Sequence, residues 1–250
     1  METQTIERVL ARRAADPRRL VAYAGAAAFV IAASWFWLAT KNVTVAAPPL
    51  IGPHVPPVQG MRIYYSWQAT TLPQERYYTV IAIVGFICLA TAVSWFRDMV
   101  APGRALASTG AALIGVGTAT WISGNILELG GHRAVGLMAA RTNPIQTTNS
   151  IAFTIDMIAA AFALAAFAFI GLGMLAVATA AARQDARHRA WVAYTIAIGQ
   201  TLLVLAWSYA AGNSDLSDLM LFAIGIAPVP LWLIWTCRIG RIGIEPPNAV

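Results

Sequence analysis

The chain has 250 residues, of which 58% are hydrophobic and 11% charged, with a mean hydropathy of +0.64. Soluble domains average about 45–50% apolar and about 25% charged residues, so this composition excludes an ordinary water-soluble fold and points to a polytopic membrane protein. The net charge of +6 is almost all arginine, with Lys41 the one lysine. The arginines sit at the ends of apolar runs and form no basic face with interleaved aromatics, so nucleic acid is not the expected partner.

Residues 1–19 form a basic leader carrying Arg8, Arg12, Arg13, Arg18 and Arg19. Residues 20–40 are apolar throughout, too long for the roughly 7–15-residue core of a secretory signal. We read them as a first, uncleaved span. Residues 41–77 hold six prolines, from Pro48 to Pro73, together with Tyr64, Tyr65, Trp67 and Tyr77. Proline lacks an N–H and fixes φ, so this stretch is expected to be an extended outer loop, its aromatics resting at the membrane–water interface. Its Asn42-Val43-Thr44 sequon abuts the membrane end and is discounted.

Five further apolar runs follow, at 78–96, 106–129, 151–178, 191–211 and 216–237, with a tail at 240–250. Each is long enough to cross about 30 Å of hydrocarbon. The expected fold is therefore all-α, a transmembrane domain over 20–239 with six transmembrane helices. An even number of spans puts both termini on one side. With the termini inside, twelve Arg/Lys residues fall on the inner side against five outside, which places the N- and C-termini in the cytoplasm. Trp95, Trp191 and Trp235 then mark inner span ends, and the inner arginines meet anionic lipids of the inner (cytoplasmic) membrane.

Small residues pave the third and fourth spans. Gly110, Gly115 and Gly117 lie in one, and the other reads AAAFALAAFAFIGLG, which favours close helix packing in lipid. Pro228 and Pro230 fall mid-span in the last run and predict a kink. The two halves of the chain do not match, so no internal repeat is assigned. The six spans, the long loop after the first, and the short basic link in GLGMLAVATAAARQDARHRAWVAYTIAIG resemble a group of bacterial six-helix integral membrane proteins of unknown function. That resemblance implies topology and no chemistry.

Cys88 and Cys237 both lie in apolar runs, so no disulfide is expected, and no spacing of Cys and His suggests zinc, haem or an iron–sulfur cluster. No cofactor is predicted. The hydrolase and nucleotide-binding motifs GxSxG, HExxH and GxxxxGK[ST] are missing. Polarity concentrates in WISGNILELGGHRAVG, residues 121–136, where Asn125, Glu128, His132 and Arg133 occur within nine positions. Trp121, Asn125 and Glu128 share one helical face, and Gly130-Gly131 is expected to end that helix. Asp156 lies at matching depth in the next run, on the same face as Asn149.

Ionisable groups inside a span are costly and default to a functional role. Three readings follow. In the structural reading, Asp156 pairs with Arg133 or caps a neighbouring helix, and Glu128 merely reaches the interface. In the second, Asn125, Glu128, His132, Arg133 and Asp156 form an outward-facing polar pocket that handles or senses a small solute or ion, with Asp156 as the titrating group. In the third, Glu128, His132 and Asp156 hold a metal in an intramembrane enzyme. A non-enzymatic solute- or ion-handling protein is the reading adopted. The alternative from another class is an accessory subunit that binds a membrane partner through loop 41–77.

Overall fold

The computed structural model describes residues 52, 54–100, 104–139, 145–183, 189–212 and 219. The basic leader, the first run at 20–40, most of the last run with Pro228 and Pro230, the 141–144 link and the 240–250 tail lie outside the described residues. Among the described residues the fold is helical, and four helices follow one another. They are α1 (Pro57–Val100), α2 (Ala105–Ala139), α3 (Ile145–Ala182) and α4 (Arg189–Ala211). Helices α2, α3 and α4 are long and apolar enough to cross a membrane. In α1 the apolar stretch is shorter, Thr79–Thr91.

Two helix boundaries differ from the sequence reading. The proline-rich stretch does not stay extended: from Pro57 onward it is helical through Pro73 into the next run, giving one helix of 44 residues. Pro57 takes the first helical position, where a missing N–H removes no intrahelical bond and the fixed φ already suits the helix. Packing of Tyr65 and Met61 against Val135, Ala139, Ile145 and Ala152 then offsets the cost of an interior proline at 73. The Gly130-Gly131 pair likewise does not end α2, which continues to Ala139. A Cβ added at Gly131 would stand 2.6 Å from Ile155 Cγ2, so that glycine serves a close helix contact.

The contact at Gly131 belongs to a series. On α2, Gly110, Gly117, Gly124 and Gly131 recur every seventh residue. On α3, Ala152, Ala159, Ala166, Gly173 and Ala180 recur at the same interval and are buried. The two rows meet in antiparallel order. A Cβ at Gly110 would lie 2.7 Å from the Gly173 carbonyl oxygen, one at Gly117 2.8 Å from that of Ala166, and one at Gly124 2.7 Å from Phe162 Cβ. A strict seven-residue period matches about 3.5 residues per turn, so the small faces stay opposed along the whole pair in a shallow left-handed crossing. In lipid no hydrophobic force draws helices together, and close backbone approach supplies van der Waals contact instead. Helix α4 joins by the same device, with Gly171 and Gly199 facing each other.

Around this seam the core is apolar. Phe86, Leu89 and Val93 of α1 pack with Ile114, Phe167, Ile170 and Met174, and with Trp191, Ile198 and Leu205 of α4. Phe86 stacks on Trp121 with ring centroids 4.4 Å apart. Trp191, expected at a membrane interface, is buried in this core instead. It opens α4 against the end of α3, where Ala178 and Ala181 are too small to fill the space. Helix α4 ends at Gly212, whose φ of +65° is the left-handed conformation that closes a helix.

Helix length sets where the polar residues stand. At about 1.5 Å per residue, α2 and α3 run roughly 52 and 57 Å, against about 30 Å of hydrocarbon. Both begin or end at arginine-marked positions, Arg104 before α2 and Arg183 after α3. Each helix is thus longer than that thickness, by roughly 22 and 27 Å. At the end away from those arginines, the C-terminal part of α2, the N-terminal part of α3 and the N-terminal part of α1 pack as a three-helix head around Tyr65, Val135 and Ile145.

Candidate functional site

In the head, polar side chains bond from one helix to another. His132 Nε2 on α2 lies 3.2 Å from Asp156 Oδ1 on α3. The Tyr65 hydroxyl on α1 donates to Asn149 Oδ1 on α3 at 2.8 Å. Asn149 and Asp156 are seven residues apart and so lie on one stripe of α3, which brings both bonds to the same face. Tyr65 is held by the T-shaped contact of its ring with Tyr64, centroids 5.7 Å apart.

Burial differs sharply within the His132–Asp156 pair. The His132 side chain is 13% exposed and that of Asp156 60%. Nε2 faces the carboxylate, whereas Nδ1 is buried and has no hydrogen-bond partner. With Nε2 donating its proton to Asp156, the neutral ring leaves Nδ1 as a bare acceptor. Tyr65 is 5% exposed, and its phenol is pushed above the usual 10.0 by burial, then by the negative charge of Asp156, then by Tyr64. The Asp156 carboxylate thus faces His132 from α3 and acts electrostatically on Tyr65 of α1.

The sequence candidates separate once placed. His132 and Asp156 meet. Asn125 does not join them: its Nδ2 donates to the Trp121 carbonyl oxygen of its own helix at 2.8 Å. Glu128 is half-buried one turn before His132, and Arg133 is exposed. The partner of Asp156 is therefore His132 and not Arg133, because residues 132 and 133 point about 100° apart on a helix and only the former turns toward α3. Among the described residues no three His, Cys, Asp or Glu side chains gather to hold a metal, so Glu128, His132 and Asp156 do not form a ligand set. Tyr65 is the member that sequence reasoning missed. It lies 84 residues from Asn149, and no local pattern announces so distant a bond.

Below the head, polar side chains turn inward on their own helices. Thr120 donates to Val116, Ser123 to Ala119 and Thr195 to Trp191, each to a backbone carbonyl one turn back. Thr118 is the exception, with a buried hydroxyl that has no partner. A separate groove of about 640 Å³ runs along α3, lined by Phe153, Met157, Ile158, Phe162 and Phe169 with Thr120 and Thr154. Both threonine hydroxyls are spent on backbone carbonyls, and none of the candidate polar residues lines the groove. Its lining is almost wholly apolar.

No protein-family model, curated protein or solved structure matches the chain.

Proposed function

We propose that this is a six-span protein of the cytoplasmic membrane, termini inside, whose three-helix head binds or senses a small polar solute or ion on the outer side. The observation that carries this reading is the His132–Asp156 bridge between α2 and α3, set beside the Tyr65–Asn149 bond from α1. Polar groups from three helices converge there, on the part of the bundle that stands beyond the hydrocarbon. A sensing role fits better than conduction. At bilayer height the α2–α3 seam is closed glycine against carbonyl, and the described hydroxyls there, Thr118 apart, are bonded to their own helices.

The test is a binding titration of the full chain in nanodiscs against inorganic ions, amino acids and sugars, read as a shift in thermal unfolding. At least one class should raise the unfolding temperature of the wild type, and Asp156→Asn should abolish that shift while unfolding normally by itself. A ligand that stabilises Asp156→Asn and wild type equally would place binding elsewhere and remove the basis of the proposal.

A further inference from the structure

We infer that the ion this head responds to is the proton, and that His132 is the group that takes it up, tightening α2 onto α3 when it does. The inference rests on the proposed function and deepens it. It starts from the asymmetry of the ring. One nitrogen, Nε2, faces the Asp156 carboxylate at 3.2 Å, and the other, Nδ1, is buried with no partner. In the neutral ring Nδ1 is an unmet acceptor; in the charged ring it is an unmet donor. That side of the ring is unsatisfied in both states, so only the Nε2 contact can reward the charged one.

The Nε2 side does distinguish them. With a neutral ring, the contact to Asp156 is an ordinary hydrogen bond. With a charged ring, it becomes an ion pair with a charge-assisted hydrogen bond, roughly twice as strong. Histidine is the side chain that ordinarily changes charge between about pH 5 and 8. The tie between α2 and α3 is therefore stronger at the acidic end of that range and weaker at the alkaline end.

From α3 the ring faces Asp156, whose carboxylate also acts on the Tyr65 phenol of α1. On its own helix Glu128 precedes it by one turn, and Arg133 is exposed. The ring is also placed to act on the backbone. Gly131, its neighbour, packs directly on Ile155, the neighbour of Asp156, so the tie lies on the last glycine contact of the seam. Tightening or slackening it changes how firmly the head end of that seam is closed.

The test uses the full chain in nanodiscs, with Cys88→Ser and Cys237→Ser and spin labels at the exposed positions Ala134 and Thr147, and measures the label-to-label distance distribution. In the otherwise wild-type protein the distribution should narrow at least twofold between pH 8 and pH 5.5. His132→Gln keeps a donor to Asp156 but no titrating charge, and should give a broad distribution at both pH values. His132→Lys, charged throughout, should be narrow at both. Asp156→Asn, which keeps an acceptor, guards against a fold lost through His132 and should also remove the pH response. An unchanged wild-type distribution, or a His132→Gln response equal to that of the wild type, overturns the inference. Solute binding that persists in either of those cases leaves the proposed function standing, so the two failures are told apart.

Discussion

The α2–α3 pair is held together in two different ways along its length. Along most of the seam, glycines and alanines every seventh residue bring backbone against backbone, with Cβ positions that a side chain cannot occupy. In the head, beyond Gly131, the same two helices are joined by His132 and Asp156, and α1 is joined to α3 by Tyr65 and Asn149. The solvents explain the difference. In hydrocarbon, polar partners are expensive and dispersion between close backbones is the available attraction. In the head, a half-exposed histidine–carboxylate bridge is weak, and its strength depends on what the solution contains. One region is fixed by shape and the other is open to chemistry.

Four substitutions probe that division. The largest effect is expected at Gly117. Valine there drives a Cβ to 2.8 Å from the Ala166 carbonyl oxygen and 2.7 Å from Ile170 Cγ1. Thermal unfolding in micelles, followed by circular dichroism, should show a loss of about 3 kcal/mol, the upper end of overpacking costs. If Gly117→Val unfolds like the wild type, the seam is not closed as described. Next is Thr118→Val, which removes a buried hydroxyl that has no partner and keeps the side chain's shape. The same assay should register a gain of about 2 kcal/mol, and any loss would mean that the hydroxyl is satisfied.

Tyr65→Phe acts on the head and is smaller, about 1 kcal/mol for one hydrogen bond. It also has a pH signature. Because the folded phenol ionises above the usual 10.0, the folded state holds its proton where the unfolded chain releases it. That contribution is complete below about pH 10 and is lost as pH rises through the folded value. Between pH 9 and 11 the wild type should therefore lose more stability than Tyr65→Phe, and parallel alkaline curves would contradict the burial of the phenol. The smallest effect belongs to Gly115, two residues from Gly117, where an added Cβ meets nothing within 4 Å. Gly115→Ala should raise stability by about 0.5 kcal/mol through helix propensity alone. The contrast between two glycines so near in sequence is the sharpest check on which face of α2 is closed.

Much of the bilayer-height region was legible in the residues. The runs at 106–129, 151–178 and 191–211 each fall within a described helix long enough to span, and of the glycines named in the third run, Gly110 and Gly117 face small residues of the fourth while Gly115 does not. The seven-residue spacing of Gly110, Gly117, Gly124 and Gly131 was also in plain view, but counting glycines by run obscures a period that crosses the run's end. The head was harder to read. Gly130-Gly131 carries the composition of a helix stop, and only the presence of Ile155 opposite explains why the helix goes on. Pro73 carries the composition of a loop, and only the packing of Tyr65 further back explains a helix through it. Both are tertiary effects that override local preference. Of the polar candidates, His132 and Asp156 were brought together by the fold, while Asn125 was claimed by its own backbone, an option open to any asparagine in a helix.

The seven-residue row of glycines also limits how the head can move. Each contact point on α2 is separated from the next by about 10.5 Å of helix axis. Between those points stand bulkier residues such as Ile114 and Trp121. Sliding α2 along α3 by less than one full interval would drive a side chain into a space that admits only hydrogen atoms. The two helices are thus indexed like a toothed rack, free to pivot about the seam but not to slip along it. Whatever the head encounters at Asp156 can reach the arginine end, some 40 Å away by helix rise, only as a rotation.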